Sequence, residues 1–506
     1  MIYLALPRAA PDTGESVMTE DNQSVRDTTT GQADGAAQFT DASGAEQGIS
    51  EKAVSHKRGG FSSKIGFVLA AAGSAVGLGN LWRFPYLAAK YGGGMFLLCY
   101  VLLAVTFGFC LLVLEIAIGR KTGKGVIGAF AALNKKFKWF GFVCLIVPII
   151  IIPYYSVIGG WVVRYIVAFL EGNGQLIGEA ANADTSAQFF AAFTADPWQP
   201  LIYFLIFGAA TILVVVFGVQ KGIERMSKIL MPALAILAVF LMIYVLCQPG
   251  AWEGVKKLFV PDFGDFTYET LLAALGQLFY SMSLAMCIMI TYGSYMKKDA
   301  SISGSARQIS ICDTLFAIVA ALIIIPSIYA FSSDPESVAS QSGPSLMFVQ
   351  LPAVLNNIPG GRWIGAVFFV LVFFAALTSS ISLAEAIVSV LRENCKLKRL
   401  PACAIVFGIM LVLGTLSSLG FGPLSMINIA GKNLLDIFDY LSNSILMPIV
   451  AIGTCIIAGY FYDLNIISDE IGMRKKGTRL YFRIMIRFVA PVCMAAILFS
   501  GIFLQL

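Results

Sequence analysis

The 506-residue chain predicts an all-α, polytopic membrane protein of about eleven transmembrane helices, an inverted five-helix repeat whose first and sixth helices are broken. Three observations carry that reading. The composition is 58% hydrophobic and 13% charged, and apolar runs recur at about 20 residues, the length that crosses hydrocarbon. The first run is interrupted between Gly73 and Pro85 by three glycines, Asn80 and Arg83. The sixth is interrupted by the polar patch Gln277, Ser281 and Ser283, at the matching place in the second half. Paired interruptions of this kind mark inverted repeats that meet at a mid-membrane site.

Residues 1–56 are rich in Asp, Thr, Ser, Gly, Gln and Ala and bury too little apolar surface to fold, so a disordered cytoplasmic tail is expected. Within it, Met18 offers a second possible start. The spans follow at 65–87, 94–118, 139–170, 199–217, 228–248, 269–295, 304–331, 363–391, 402–418, 432–461 and 483–505. In the first, unwound backbone at membrane depth survives only against protein or a watery cavity. Arg83 there would cost about 2.5–3.5 kcal/mol at the bilayer centre, so it is expected to face a wet interior. Span three carries Tyr154 and Tyr155, and span eight carries Thr378, Ser379 and Ser380. Residues 57–461 are expected to form a ten-helix core in two inverted halves, and 462–506 a cytoplasmic loop with the eleventh helix.

Lys and Arg fall on one side of this threading, about twenty against about five, and basic loops stay in the cytoplasm. The N-terminus is therefore expected inside and, after eleven spans, the C-terminus outside. The net charge of +5 reflects those loops and gives no reason to invoke nucleic acid. Ten cysteines lie mostly within spans, which implies no disulfide framework. The single histidine, His56, precedes the first span and excludes a His-based triad or metal centre in the membrane. No catalytic residue and no organic cofactor are expected.

In order, the first-span string 73–85, the glycines at 92–94, Glu115 to Arg120, Tyr154-Tyr155, Gln277 to Ser283, Thr291 to Tyr295 and Ala375 to Ser380 resemble the signatures of the neurotransmitter:sodium symporter family. The resemblance covers about residues 58–460. It implies the leucine-transporter fold and two sodium sites of hard oxygen donors. One would use the carbonyls of Gly73, Val76 and Ala375 with the hydroxyls of Thr378 and Ser379. The other would use Ala75, Asn80, Ser281 and, in span seven, Asp313. Family members that need chloride place a neutral residue there, so Asp313 implies chloride-independent transport.

The resemblance places a substrate carboxylate at the amides of Leu78 and Gly79 and the hydroxyl of Tyr155, at the positive end of a half-helix. Its ammonium would meet carbonyls of Ala75, Tyr280 and Ser281 and the Ser283 hydroxyl. Amine-carrying relatives have an Asp at the position of Gly77, so glycine here favours an α-amino acid that brings its own carboxylate. Ile151, Met286, Ser379 and Leu383 would line a mostly apolar side-chain pocket. Where this chain has Ala285 and Cys287 the family often has glycines, which leaves aromatic substrates no more favoured than aliphatic ones. Gate pairs would be Arg83 with Asp439 outside and Arg58 with Glu393 inside. Gly222 and Pro232 resemble an unwinding motif for inward sodium release.

Read singly, several of these features are bland. Thr378 to Ser380 read as hydroxyls bonded back to i−4 carbonyls, Tyr154-Tyr155 as packing, and Asp439 and Glu393 as solvated helix ends. Their joint order makes the site. The implied function is sodium-coupled import of an α-amino acid, expected to be hydrophobic, by alternating access. An amino-acid-binding sensor without transport is the alternative, and the composition leaves a membrane enzyme without an evident centre. The partners expected are a small amino acid and the lipid bilayer. With no twelfth span and no sequon or cysteine in the long outer loop, the expected location is a bacterial inner membrane.

Overall fold

The structure is a computed structural model, and it describes residues 60–178, 181–332, 334, 335, 338, 344–429 and 431–504. The expected tail, 1–56, and the expected gate residue Arg58 lie outside them. Among the described residues the chain is helical, and nine continuous helices are long and apolar enough to span a membrane. They are Gly94–Thr122, Lys135–Glu171, Gln199–Val216, Val219–Leu246, Ile302–Phe331, Gly361–Asn394, Arg399–Leu419, Leu434–Tyr460 and Lys476–Phe503. The two remaining spans are broken. Span one consists of Lys64–Ala75 and Gly79–Lys90, bent by 52°. Span six consists of Tyr268–Ser281 and Ile288–Ser294, each too short to cross alone.

Both broken spans stop where their sequence stops supporting a helix. The first half of span one starts at Ser63, whose side chain accepts from the Gly66 N–H, and ends at Ala75, beyond which Val76 is extended. The first half of span six starts with a reciprocal cap between Thr267 and Thr270. Elsewhere observed boundaries exceed the apolar runs. Span five begins at Val219 and span eleven at Lys476, because a helix continues through basic residues that a hydropathy run leaves out.

Five short helices outside the spans, Val126–Leu133, Ala183–Ala195, Ala251–Phe259, Leu346–Asn356 and Leu464–Ile471, were not legible as spans. The second lies within the connection expected as an outer loop, where Asn182 and Thr185 cap it reciprocally. Gly361–Asn394 is the most buried span and Lys476–Phe503 the least. The former packs against span three and against the first half of span one, which places Ala375 to Leu383 beside the break.

Candidate functional site

The site grows from the break in span one. In a continuous helix the Leu78 N–H would bond to the Ser74 carbonyl. Here the Leu78 N–H donates to the Tyr155 hydroxyl at 3.3 Å, and the Ser74 carbonyl accepts from the hydroxyls of Ser283 at 2.9 Å and Ser379 at 3.0 Å. Gln277 donates its side-chain N–H to the Gly79 carbonyl at 3.0 Å. The Leu78 N–H and the Ser74 carbonyl, parted by the unwinding, are thus met by side chains from spans three, six and eight. Glycine is required at two of these positions. A Cβ on Gly77 would lie 2.7 Å from Ser379 Oγ, and one on Gly79 would lie 2.6 Å from the Tyr280 ring.

A small cavity of about 20 Å³ lies at the meeting of the two breaks. It is lined by Ala75, Gly77, Leu78, Gly79, Ile151, Tyr155, Tyr280, Ser281, Ser283, Met286, Ser379 and Leu383, all twelve residues expected to contact substrate. Ser74, Asn80 and Ile288 complete the wall. Ser74 and Ile288 were missed, although each sits next to a residue the motifs had marked. The lining combines the polar groups of Tyr155, Ser281, Ser283 and Ser379 with the apolar side chains of Ile151, Met286, Ile288 and Leu383, the make-up of a small-molecule site.

Asp313 is fully buried, and among the described residues no Lys or Arg forms an ion pair with it. It accepts from Ser281 Oγ at 2.6 Å, Asn80 Nδ2 at 2.8 Å and Tyr100 Oη at 3.1 Å. The structure therefore brings together Asn80, Ser281 and Asp313, with Ala75 on the adjacent turn. A buried carboxylate without a basic partner, held by the Asn80 amide N–H and the Ser281 and Tyr100 hydroxyls, fits a hard monovalent cation. At the second expected site, Ser379 Oγ lies 3.2 Å from the Ala375 carbonyl and 3.5 Å from that of Gly73, and Thr378 Oγ1 lies 3.0 Å from the Ala375 carbonyl. Val76 begins the unwound turn beside them.

A larger cavity of about 310 Å³ adjoins the small one and shares Leu78, Tyr155 and Tyr280 with it. Arg83 and Asp439 both line it, but the expected pair is not made in this conformation. The guanidinium sits over the Tyr280 ring at 5.5 Å, and Asp439 accepts from Asn443 at 2.6 Å. Arg83 and Asp439 thus face one another across the cavity without an ion pair, each held by a neighbour. On the opposite face, Glu393 accepts from the Gly125 N–H at 2.6 Å, while its expected partner Arg58 lies outside the described residues.

Three acidic or basic residues that the motifs did not mark close that opposite face. Glu224, two residues after Gly222, accepts from the Ser62 N–H at 2.7 Å, the Ser62 hydroxyl at 2.5 Å and the Ser63 hydroxyl at 3.1 Å, which ties span five to the start of span one. Glu385 pairs with Arg399 and accepts from the Tyr295 hydroxyl at 2.8 Å. Phe61 packs edge-on against Tyr292 and Tyr295, and its N–H donates to the Tyr295 carbonyl. An acidic residue beside an expected unwinding glycine was the available signal for Glu224.

The profile of the sodium:neurotransmitter symporter family matches residues 58–176 and 197–505. An uncharacterized sodium-dependent transporter of Bacillus subtilis (strain 168) is 38% identical over 413 residues, 81% of this chain and 89% of that protein. One from Haemophilus influenzae is 30% identical over 455 residues, 88% of this chain and 98% of its own. Among solved structures, the crystal structure of MhsT in complex with L-phenylalanine matches with a TM-score of 0.79 at 35% identity, covering 88% of this chain and all of that one. With its two broken spans, paired hydroxyls and buried span-seven carboxylate, the chain belongs to the sodium:neurotransmitter symporter family, a family of sodium-dependent transporters.

Proposed function

We propose that the protein is a chloride-independent symporter that couples inward sodium flow to import of a hydrophobic α-amino acid by alternating access. The observation that carries this is the small cavity in which twelve expected contacts converge beside Asn80, Ser281 and Asp313. The polar groups of its lining suit a zwitterion. The carboxylate meets the Leu78 and Gly79 amides and Tyr155, and the ammonium meets carbonyls of Ala75, Tyr280 and Ser281 with the Ser283 hydroxyl. That the similar MhsT was crystallised with L-phenylalanine supports an amino acid as the ligand class.

Sodium at the Asn80–Ser281–Asp313 site lies against the substrate carboxylate, so each favours binding of the other. The second sodium is held by Gly73, Val76, Ala375, Thr378 and Ser379, where it ties span one to span eight. Two sodium ions entering with a zwitterion carry two charges, worth about 4.6 kcal/mol at 100 mV. That alone supports more than about a thousandfold accumulation. The fixed carboxylate of Asp313 supplies the negative charge that chloride supplies in other members. Arg83 and Asp439 close the outer gate, and Arg58 and Glu393 the inner one. The ten-helix core, 57–461, carries the cycle in a bacterial inner membrane, with the basic loops and N-terminus inside and the C-terminus outside.

Uptake of a mixture of radiolabelled amino acids into proteoliposomes tests the reading. It is expected with sodium outside, absent with choline, unchanged when gluconate replaces chloride, and lost in Asn80→Ala and Thr378→Ala. Equal uptake in choline and sodium would refute coupling, and collapse in gluconate would refute chloride independence.

A further inference from the structure

Span three contains Pro148 within a continuous helix, Lys138–Glu171. Proline has no N–H, so the carbonyl four residues earlier, that of Cys144, loses its helical donor. The thiol of Cys287 takes that place, donating to the Cys144 carbonyl at 3.0 Å between two buried residues. Cys287 belongs to the break in span six, where Ser283, Ala285 and Cys287 have φ of 52°, 59° and 64°. Left-handed backbone is disfavoured for any residue with a Cβ, and it persists where the surroundings over-determine it.

Each of the three is held by a different span. Ser283 Oγ donates to the Ser74 carbonyl in span one at 2.9 Å, the Ala285 N–H donates to the Glu115 carboxylate in span two at 2.7 Å, and Cys287 reaches span three. Between and beside these pins stand Met286 and Ile288, which line the cavity together with Ile151 and Leu383 and supply its large aliphatic side chains. Ile151 lies two helical turns beyond Cys144 on the same face of span three. The wall that meets a substrate side chain is therefore tied to the span it faces, and the cavity it bounds has a volume of about 20 Å³.

We propose that Cys287 is a specificity-determining positioning residue: by filling the carbonyl that Pro148 orphans, it holds Met286 and Ile288 in place and limits the transported α-amino acid to compact aliphatic side chains, against aromatic ones. The inference rests on the transport reading and goes beyond it. A glycine at 287 would keep the left-handed turn without the tie. A serine would keep both. Pro148→Ala would restore an N–H that competes with the thiol for the same carbonyl, leaving residue 287 intact.

The test is competition by unlabelled L-valine, L-isoleucine, L-phenylalanine and L-tryptophan against radiolabelled L-leucine, read both as sodium-dependent uptake and as binding to the purified protein. In the wild type and Cys287→Ser the aromatic competitors are expected to be at least about tenfold weaker than the aliphatic ones. In Cys287→Gly and in Pro148→Ala that ratio is expected to narrow toward parity. Equal competition by both classes in the wild type overturns the proposal, as does an unchanged ratio in Pro148→Ala and in whichever Cys287→Gly protein folds. Sodium-stimulated binding with the expected ratio but no uptake would count against transport and leave this proposal standing.

Discussion

Asp313 has the local problem of a buried carboxylate whose hydrogen-bond partners among the described residues are neutral donors, Asn80, Ser281 and Tyr100. Three hydrogen bonds stabilise the anion, and on the proposed function a monovalent cation at the same oxygens would complete the neutralisation. A contact to a charged group is worth about 1.5–3 kcal/mol. Asp313→Asn is therefore expected to weaken sodium activation of uptake by roughly ten- to a hundredfold. A sodium activation curve that does not move would remove Asp313 from the ion site. Gln277 reaches the Gly79 carbonyl from span six and so ties the second half of span one to it.

Span two and the second half of span six meet in backbone contact. A Cβ on Gly293 would lie 3.0 Å from Ile116 Cα and closer still to the Ile116 carbonyl, and one on Gly119 would collide with the Ile290 backbone. The two helices are in backbone contact, which only glycines permit. Gly293→Val is expected to lower thermal stability in detergent by about 1–3 kcal/mol, because neither backbone can retreat. An unchanged melting temperature would show that these helices separate freely.

The helix Leu464–Ile471 is a second joint, in which Glu470 accepts from Arg120 at 2.8 Å and Lys298 at 3.2 Å and so links the ends of spans two and six. Burial pushes the Glu470 carboxyl up, but the hydrogen bonds and charges of Arg120 and Lys298 outweigh it and leave it below its ordinary 4.5. A carboxyl lowered in the native state contributes stability above about 4.5 and loses it as pH falls through the lower native value. The wild type and Glu470→Gln are expected to differ in melting temperature near neutrality and to converge below that pH. A constant gap down to strong acid would show that the joint contributes nothing through its charge.

At the scale of the molecule, the cavity of about 310 Å³ between Arg83 and Asp439 and the tied-down face at Glu224, Glu385 and Phe61 describe a transporter open on one side and closed on the other. Closure of that cavity over a bound substrate is the movement the proposed alternating access requires. Ile158 lines it, so a cysteine there reports on it. Ile158→Cys is expected to react with a membrane-impermeant thiol reagent added from the side opposite the basic loops, quickly in sodium alone and slowly once substrate is added. Reaction at one rate under both conditions would mean that the outer cavity does not close.

What the sequence determined by itself is the part written in order along the chain. Thr378, Ser379 and Asp313 are marked through the family resemblance, whereas apolar runs of membrane length place eleven spans, and Gly73 to Pro85 and Gln277 to Ser283 place the two breaks. Those features are local, and hydrophobic length and backbone chemistry read them residue by residue. Tertiary structure decided what depends on distance between spans. Whether Arg83 reaches Asp439 is a matter of conformation, the pairing of Glu224 with Ser62 joins residues 162 apart, and short helices such as Leu464–Ile471 take their meaning from what they touch. The tie between Cys287 and the carbonyl freed by Pro148 is of the same kind. A proline shows in sequence which hydrogen bond is lost, but only the folded chain shows which side chain replaces it.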